Sequence, residues 1–147
     1  ENDAIEELSL SSYRGKYVVL FFYPLDFTFV CPSDILAFNR EVEEFRKRNA
    51  ELIGVSVDSQ HTHFAWRNTA VENGGIGSIH FPLVADLDKS ISDAYGVLLP
   101  DGISLRGVFL IDKEGIVRHQ LVNDLPLGRS VEEVIRLLVA EYLAKNN

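Results

Sequence analysis

The residues able to do chemistry converge on one stretch, Phe21 to Asp34 (FFYPLDFTFVCPSD), which contains Cys31, the only cysteine among 147 residues. Ahead of it runs an unbroken apolar segment, Tyr17 to Tyr23, and behind it apolar residues recur at Ile35, Phe38, Val42 and Phe45. That change of period reads as strand, loop, helix. Cys31 then falls in the first turn of the helix, followed by Pro32, whose missing N–H and fixed φ suit the first helical position. Unpaired backbone donors and the helix dipole make such a place an anion site, so the thiol is expected to ionise more readily than usual. A cysteine of pKa about 8.5 is only about 3% thiolate at neutral pH, so full ionisation adds at most about 30-fold in reactivity, or ~2 kcal/mol. Fast chemistry needs oriented donors as well. The competing reading is an inert thiol packed as a small hydrophobe.

Arg106 interrupts the strand pattern of Leu105, Gly107, Val108 and Phe109, which marks it either as an ordinary surface arginine or as one turned toward a site. Taken alone, Thr28 is a loop threonine and Pro24 a strand terminator. Other motifs fail. Gly75, Gly77 and His80 break a G-x-G-x-x-G pattern. Asp86, Asp88 and Ser90 imitate the opening of a calcium loop, but Ile91 and Val97 stand where its glycine and glutamate belong. His61 and His63 lack a third ligand nearby and read as a solvated helix start rather than a metal site. Asp34 occupies the position three after Cys31, so no C-x-x-C dithiol exists. Neither a metal nor a cofactor is expected.

These residues need elements to hold them. Gly15 and Lys16 introduce the strand Tyr17 to Tyr23, whose lack of alternation suits a parallel strand buried on both faces. A helix follows from about Ser33 to Arg48, then a buried strand, ELIGVSVD, closing a βαβ unit. Ser59 caps a helix from about Gln60 to Ala70, ahead of a glycine loop at Gly74 to Gly77. Phe81 to Ala85 reads as a short strand and Lys89 to Tyr95 as a helix stopped by Gly96. Leu105 to Ile111 and Ile116 to Val122 flank a turn containing Gly115, an antiparallel hairpin signal. Ser130 and Glu133 form a capping box before a helix striped by Val131, Val134, Ile135, Leu138 and Tyr142. The order predicts a thioredoxin-like three-layer α/β fold, a mixed, mostly parallel central sheet with helices on both faces. Cys31 would lie at the carboxyl end of a central strand, where open α/β sheets place their sites.

Composition narrows the function classes. At 46% hydrophobic the chain is expected to bury one core as a single domain over 1–147. A formal charge of -8 disfavours nucleic acid and anionic membranes as partners. The longest apolar run is too short to span a bilayer and is interrupted by Pro24. The opening ENDAIEELSL lacks the basic and apolar regions of a signal peptide, and one cysteine cannot close an internal disulfide, so a cytoplasmic protein is expected.

Pro24, Thr28 and Cys31 match the P-x-x-x-T-x-x-C active-site pattern of peroxiredoxins, and DFTFVCP resembles the typical two-cysteine group, the alkyl hydroperoxide reductase C and thiol-specific antioxidant type. The similarity runs from about Tyr13 to Leu138 through VSVDS, HFAW, GGIG, SLRGVFLID and NDLPLGRS in the family's order. The resemblance implies a thiol peroxidase for hydrogen peroxide and organic hydroperoxides, in which Cys31 is the peroxidatic cysteine oxidised to sulfenic acid. It implies that Thr28 binds the peroxide, Pro24 shields the site, Arg106 completes it, and Asp34 and Arg129 support it. Asp34 stands where the family usually has a glutamate that orients the arginine. Thioredoxin or an equivalent reductase, and a homodimer assembling to a decamer, are the implied partners. The sequence begins without a methionine and contains none, and the resolving cysteine that the resemblance implies in a carboxyl-terminal tail is not among these residues, so native N-terminal residues and a C-terminal tail are expected beyond them. A redox relay to a partner protein and a chaperone-like oligomer are the alternatives.

Overall fold

The computed structural model describes residues 10–23, 31–73, 75–77, 79–86, 88–100, 102, 106–123 and 134–140, with the backbone alone at 10, 31–34, 60, 73 and 121–123. Five strands form one mixed sheet in the order β3-β2-β1-β4-β5: β1 (Tyr17–Phe22), β2 (Ala50–Ser56), β3 (Leu83–Ala85), β4 (Arg106–Ile111) and β5 (Val117–Asn123). The first three are parallel, β4 runs antiparallel to β1, and β5 antiparallel to β4. This is the mixed sheet expected from the sequence.

Every residue of β1 is buried, and alternation divides them between two cores. Tyr17, Val19, Phe21 and Tyr23 face a cluster with Ile35, Phe38, Val42, Phe45, Trp66, Val134 and Leu138. Val18, Leu20 and Phe22 face a second, with Val97, Phe109 and partly buried Ile91 and Tyr95. Helices therefore cover both faces: α1 (Cys31–Arg40), α2 (Val42–Arg46), α3 (Gln60–Arg67) and the helical residues 134–140 on one, α4 (Ser90–Ala94) on the other. The unbroken apolar run is thus the signature of a central strand between two layers.

The single helix expected from about Ser33 to Arg48 starts at Cys31 and is divided at Glu41, whose φ of -105 and ψ of 12 leave the helical region. Its N–H bonds Phe38 O at 3.1 Å, a local tightening that still lets both halves present apolar residues to one core. Ser59 caps α3 as expected, its hydroxyl accepting from Thr62 N–H at 3.1 Å. The helix ends at Arg67, before Ala70: Asn68 and Thr69 add side-chain donors to the carbonyls of Phe64 and Ala65, both at 2.8 Å, and the Thr69 N–H bonds Trp66 O, three residues back, at 3.3 Å. The capping box at Ser130 and Glu133 lies outside the described residues.

The calcium-like spacing at Asp86 has a local cause. Buried Asp86 accepts from the N–H groups of Ile91 and Ser92 and from the Ser92 hydroxyl at 3.0, 2.7 and 2.7 Å, which organises the start of α4. Asp88 accepts from Ser90 in the same turn.

Candidate active site

Core packing fixes the helix on which Cys31 sits. Phe38 stacks on Phe21 with ring centroids 4.5 Å apart and planes 13° from parallel, and Phe81 closes edge-on against Phe21 at 5.5 Å. Gly54 of β2 makes room for this cluster, since a Cβ there would meet the Phe21 and Leu83 side chains at 2.9 Å. Ile35, one turn after Cys31, is fully buried. Side chains of this size stabilise by roughly 1.5–3 kcal/mol each on burial, so α1 has little freedom against β1. The crossover from β1 to parallel β2 carries α1 back along the sheet, and its first residue, Cys31, is set toward the carboxyl end of β1. The sequence-based placement of Cys31 in a first helical turn therefore agrees with the backbone.

Arg106 comes to the same end from the neighbouring strand. It is the first residue of β4, and Phe22 pairs with Gly107, so one further step of the register sets Tyr23 opposite Arg106. Val108 and Leu110, of the same parity, belong to the α1-side core, which puts Arg106 on the α1 face. It is only 4% exposed. A buried guanidinium at this end of the sheet, on the face that carries α1, is a set of fixed donors of the kind that suits a thiolate and the oxygen charge that develops when it attacks.

Pro24, Thr28 and Arg129 lie outside the described residues. Asp34 is in the first turn of α1, with its backbone alone described. Among the described residues there is no group of three or more His, Cys, Asp and Glu able to hold a metal. No helix among them is long and apolar enough to cross a membrane.

The reading of His61 and His63 as a solvated helix start needs correction at His63. His61 is exposed, but His63 is 3% exposed, its Nε2 3.0 Å from Val84 O and its Nδ1 3.5 Å from the Tyr23 hydroxyl. The overlooked signal is helical spacing: His63 precedes fully buried Trp66 by three residues and shares its face.

The sequence model of the AhpC/TSA family matches residues 1–120. The chain belongs to the AhpC/TSA family, the peroxiredoxins. It is 59% identical over 138 residues to peroxiredoxin-2 of Cricetulus griseus, covering 93% of this chain and 70% of that protein. The reduced 2-Cys peroxiredoxin of Plasmodium vivax superposes with a TM-score of 0.91 at 52% identity, over 92% of this chain and 71% of the other. A Plasmodium yoelii Prx1a, described as an artifactual octamer formed after modification at its N-terminus, gives 0.90 at 51% identity over 95% and 82%. This peroxiredoxin is a thiol peroxidase of the typical two-cysteine group, with the thioredoxin-like fold of its relatives.

Proposed function

We propose that Cys31 is the residue on which this peroxiredoxin reduces peroxides, with Arg106, Thr28 and Pro24 completing the site and Asp34 and Arg129 supporting it. The observation that carries the proposal is the placement of Cys31 as the first residue of α1, at the sheet end and face where Arg106 is buried. The Cys31 thiolate attacks one oxygen of the peroxide. An S–O bond forms as the O–O bond breaks, and the leaving oxygen takes a proton to depart as water or an alcohol. Sulfur loses two electrons and becomes a sulfenic acid. Arg106 and the Thr28 hydroxyl stabilise the charge on the leaving oxygen, the contribution that thiol ionisation cannot make. Pro24 keeps water from the sulfur.

With a single cysteine in the sequence, the sulfenic acid cannot close a disulfide within these 147 residues. A thiol from outside them resolves it, and thioredoxin or an equivalent reductase in the cytoplasm completes the cycle. The chain is further proposed to pair through β5, an edge strand flanked by exposed Ile116 and bearing exposed Val117, and to assemble these dimers into a decamer. The Plasmodium yoelii relative associates with itself, although its octamer is described as artifactual, and that self-association supports the reading. Light scattering that finds only monomer at micromolar concentration would remove this part.

Stopped-flow peroxide consumption by the reduced protein and by Cys31→Ser tests the assignment of the thiol. Rapid consumption by the first and none above buffer by the second is expected. A Cys31→Ser protein that still consumes peroxide would place the chemistry elsewhere.

A further inference from the structure

The His63 side chain joins three elements at the carboxyl end of the sheet. Its Nε2 lies 3.0 Å from Val84 O on β3. A carbonyl only accepts, so Nε2 carries the proton, and in the neutral ring Nδ1 is then an acceptor. The Tyr23 hydroxyl, 3.5 Å away, donates to it. Tyr23 is fully buried, its ring 5.8 Å from that of Trp66 and its backbone N–H bonded to Val55 O of β2 at 3.1 Å. It is also the last described residue before the segment 24–30 that leads into Cys31, and the register sets it opposite Arg106 on the α1 face. A polar chain thus runs from β3 through α3 to the point where β1 gives way to the reactive segment.

We propose that His63 is a positioning residue for the Cys31 site: by accepting from the Tyr23 hydroxyl while anchored to Val84 O, it fixes the exit of β1 from which both Cys31 and the Arg106 side of the site take their geometry. The inference rests on Cys31 being the reactive thiol. A buried imidazole serves here because it alone offers an acceptor and a donor on opposite sides of one rigid ring. The 3.5 Å separation is at the long end for a hydrogen bond, so the effect of losing it is moderate.

The two functions of the ring can be separated by substitution. An asparagine oxygen stands near the place of Nδ1 and retains the acceptor for Tyr23, whereas a glutamine amide nitrogen reaches the place of Nε2 and retains only the donor to Val84 O. Peroxide rate constants, iodoacetamide alkylation of Cys31 and thermal stability are measured for wild type, Tyr23→Phe, His63→Gln, His63→Asn and the Tyr23→Phe/His63→Gln pair. Expected are losses of about five- to tenfold in the peroxide step for Tyr23→Phe and His63→Gln, equivalent to about one hydrogen bond. The double variant should lose no more than either single, and His63→Asn should recover most of the rate. Alkylation should change less than peroxide reactivity in each. Wild-type rates in Tyr23→Phe and His63→Gln, additive losses, equal losses toward iodoacetamide, or a failure of His63→Asn to exceed His63→Gln would each overturn the proposal. If Cys31→Ser retained the peroxide activity, the assignment of the thiol would fail instead, which distinguishes the two claims.

Discussion

Arg106 opens β4 at 4% exposure, and Asp112, directly after the strand's last residue, is 2% exposed. The same strand thus has a buried charge at each end. Asp112 is enclosed by its own turn. Its carboxylate accepts from the N–H groups of Glu114 and Ile116, both at 2.9 Å, and from Arg118 Nε at 2.7 Å. Burial pushes its carboxyl up, but the Ile116 N–H, the Arg118 guanidinium and the Glu114 N–H outweigh that and hold it below the usual carboxylate range. Arg106 stands instead at the carboxyl end of β1, on the face covered by α1. One charge closes a hairpin and the other is proposed to serve the reaction at Cys31, so burial of a charge does not by itself mark a site. What separates the two is that Asp112 is satisfied within a single local turn, whereas Arg106 lies on a strand paired with β1, far away in sequence.

Removing each charge should break the symmetry. Arg106→Ala is expected to lower the peroxide rate constant by about 10²–10³, as for loss of one oxyanion donor at roughly 2.7–4 kcal/mol, with a smaller loss toward iodoacetamide. Stopped-flow kinetics with both reagents decide it, and equal losses would mean that Arg106 acts on the thiolate alone. Asp112→Asn should leave the peroxide rate close to wild type and cost roughly 1–3 kcal/mol in denaturant unfolding at neutral pH, because the variant weakens a buried charged acceptor.

The pH dependence sharpens the second case. With its folded pKa below the ordinary value, Asp112 contributes fully above the unfolded pKa of about 3.9 and loses that contribution as pH falls through the folded value. The stability gap between wild type and Asp112→Asn should therefore narrow on acidification below about pH 4. A gap independent of pH would show that packing, not charge, accounts for the cost.

The smallest expected effect lies in the same turn. Gly115 has φ of 86°, and an added Cβ would come within 2.8 Å of Arg14 Nε. Gly115→Ala should cost about 1–2 kcal/mol in unfolding free energy with peroxide reactivity intact.

Much of this was legible because it depends on local pattern. The buried run Tyr17 to Tyr23, the onset of α1 near Cys31, the Ser59 cap and the glycine turn before β5 each follow from a few neighbouring residues. The interruption at Arg106 was visible too, though its burial depends on the pairing of β4 with β1. What escaped depends on distant partners. The break at Glu41 reflects how α1 and α2 fit one core, and His63 becomes a buried hydrogen-bonded ring only when Tyr23 and Val84 arrive from other strands. Asp86 and Asp88 imitate the opening of a calcium loop because cap residues and calcium ligands are drawn from the same polar types, and Ile91 and Val97 already tell against one in the sequence.

The central claim is that Cys31, held at the start of α1, reduces peroxide by becoming a sulfenic acid. Titration of the reduced protein with peroxide, without any thiol reductant and followed by intact mass, tests it directly. One equivalent consumed, with a gain of one oxygen located on Cys31 and advancing to two only at excess peroxide, is the predicted result. Continued consumption without added thiol and with no change of mass on Cys31 would contradict it.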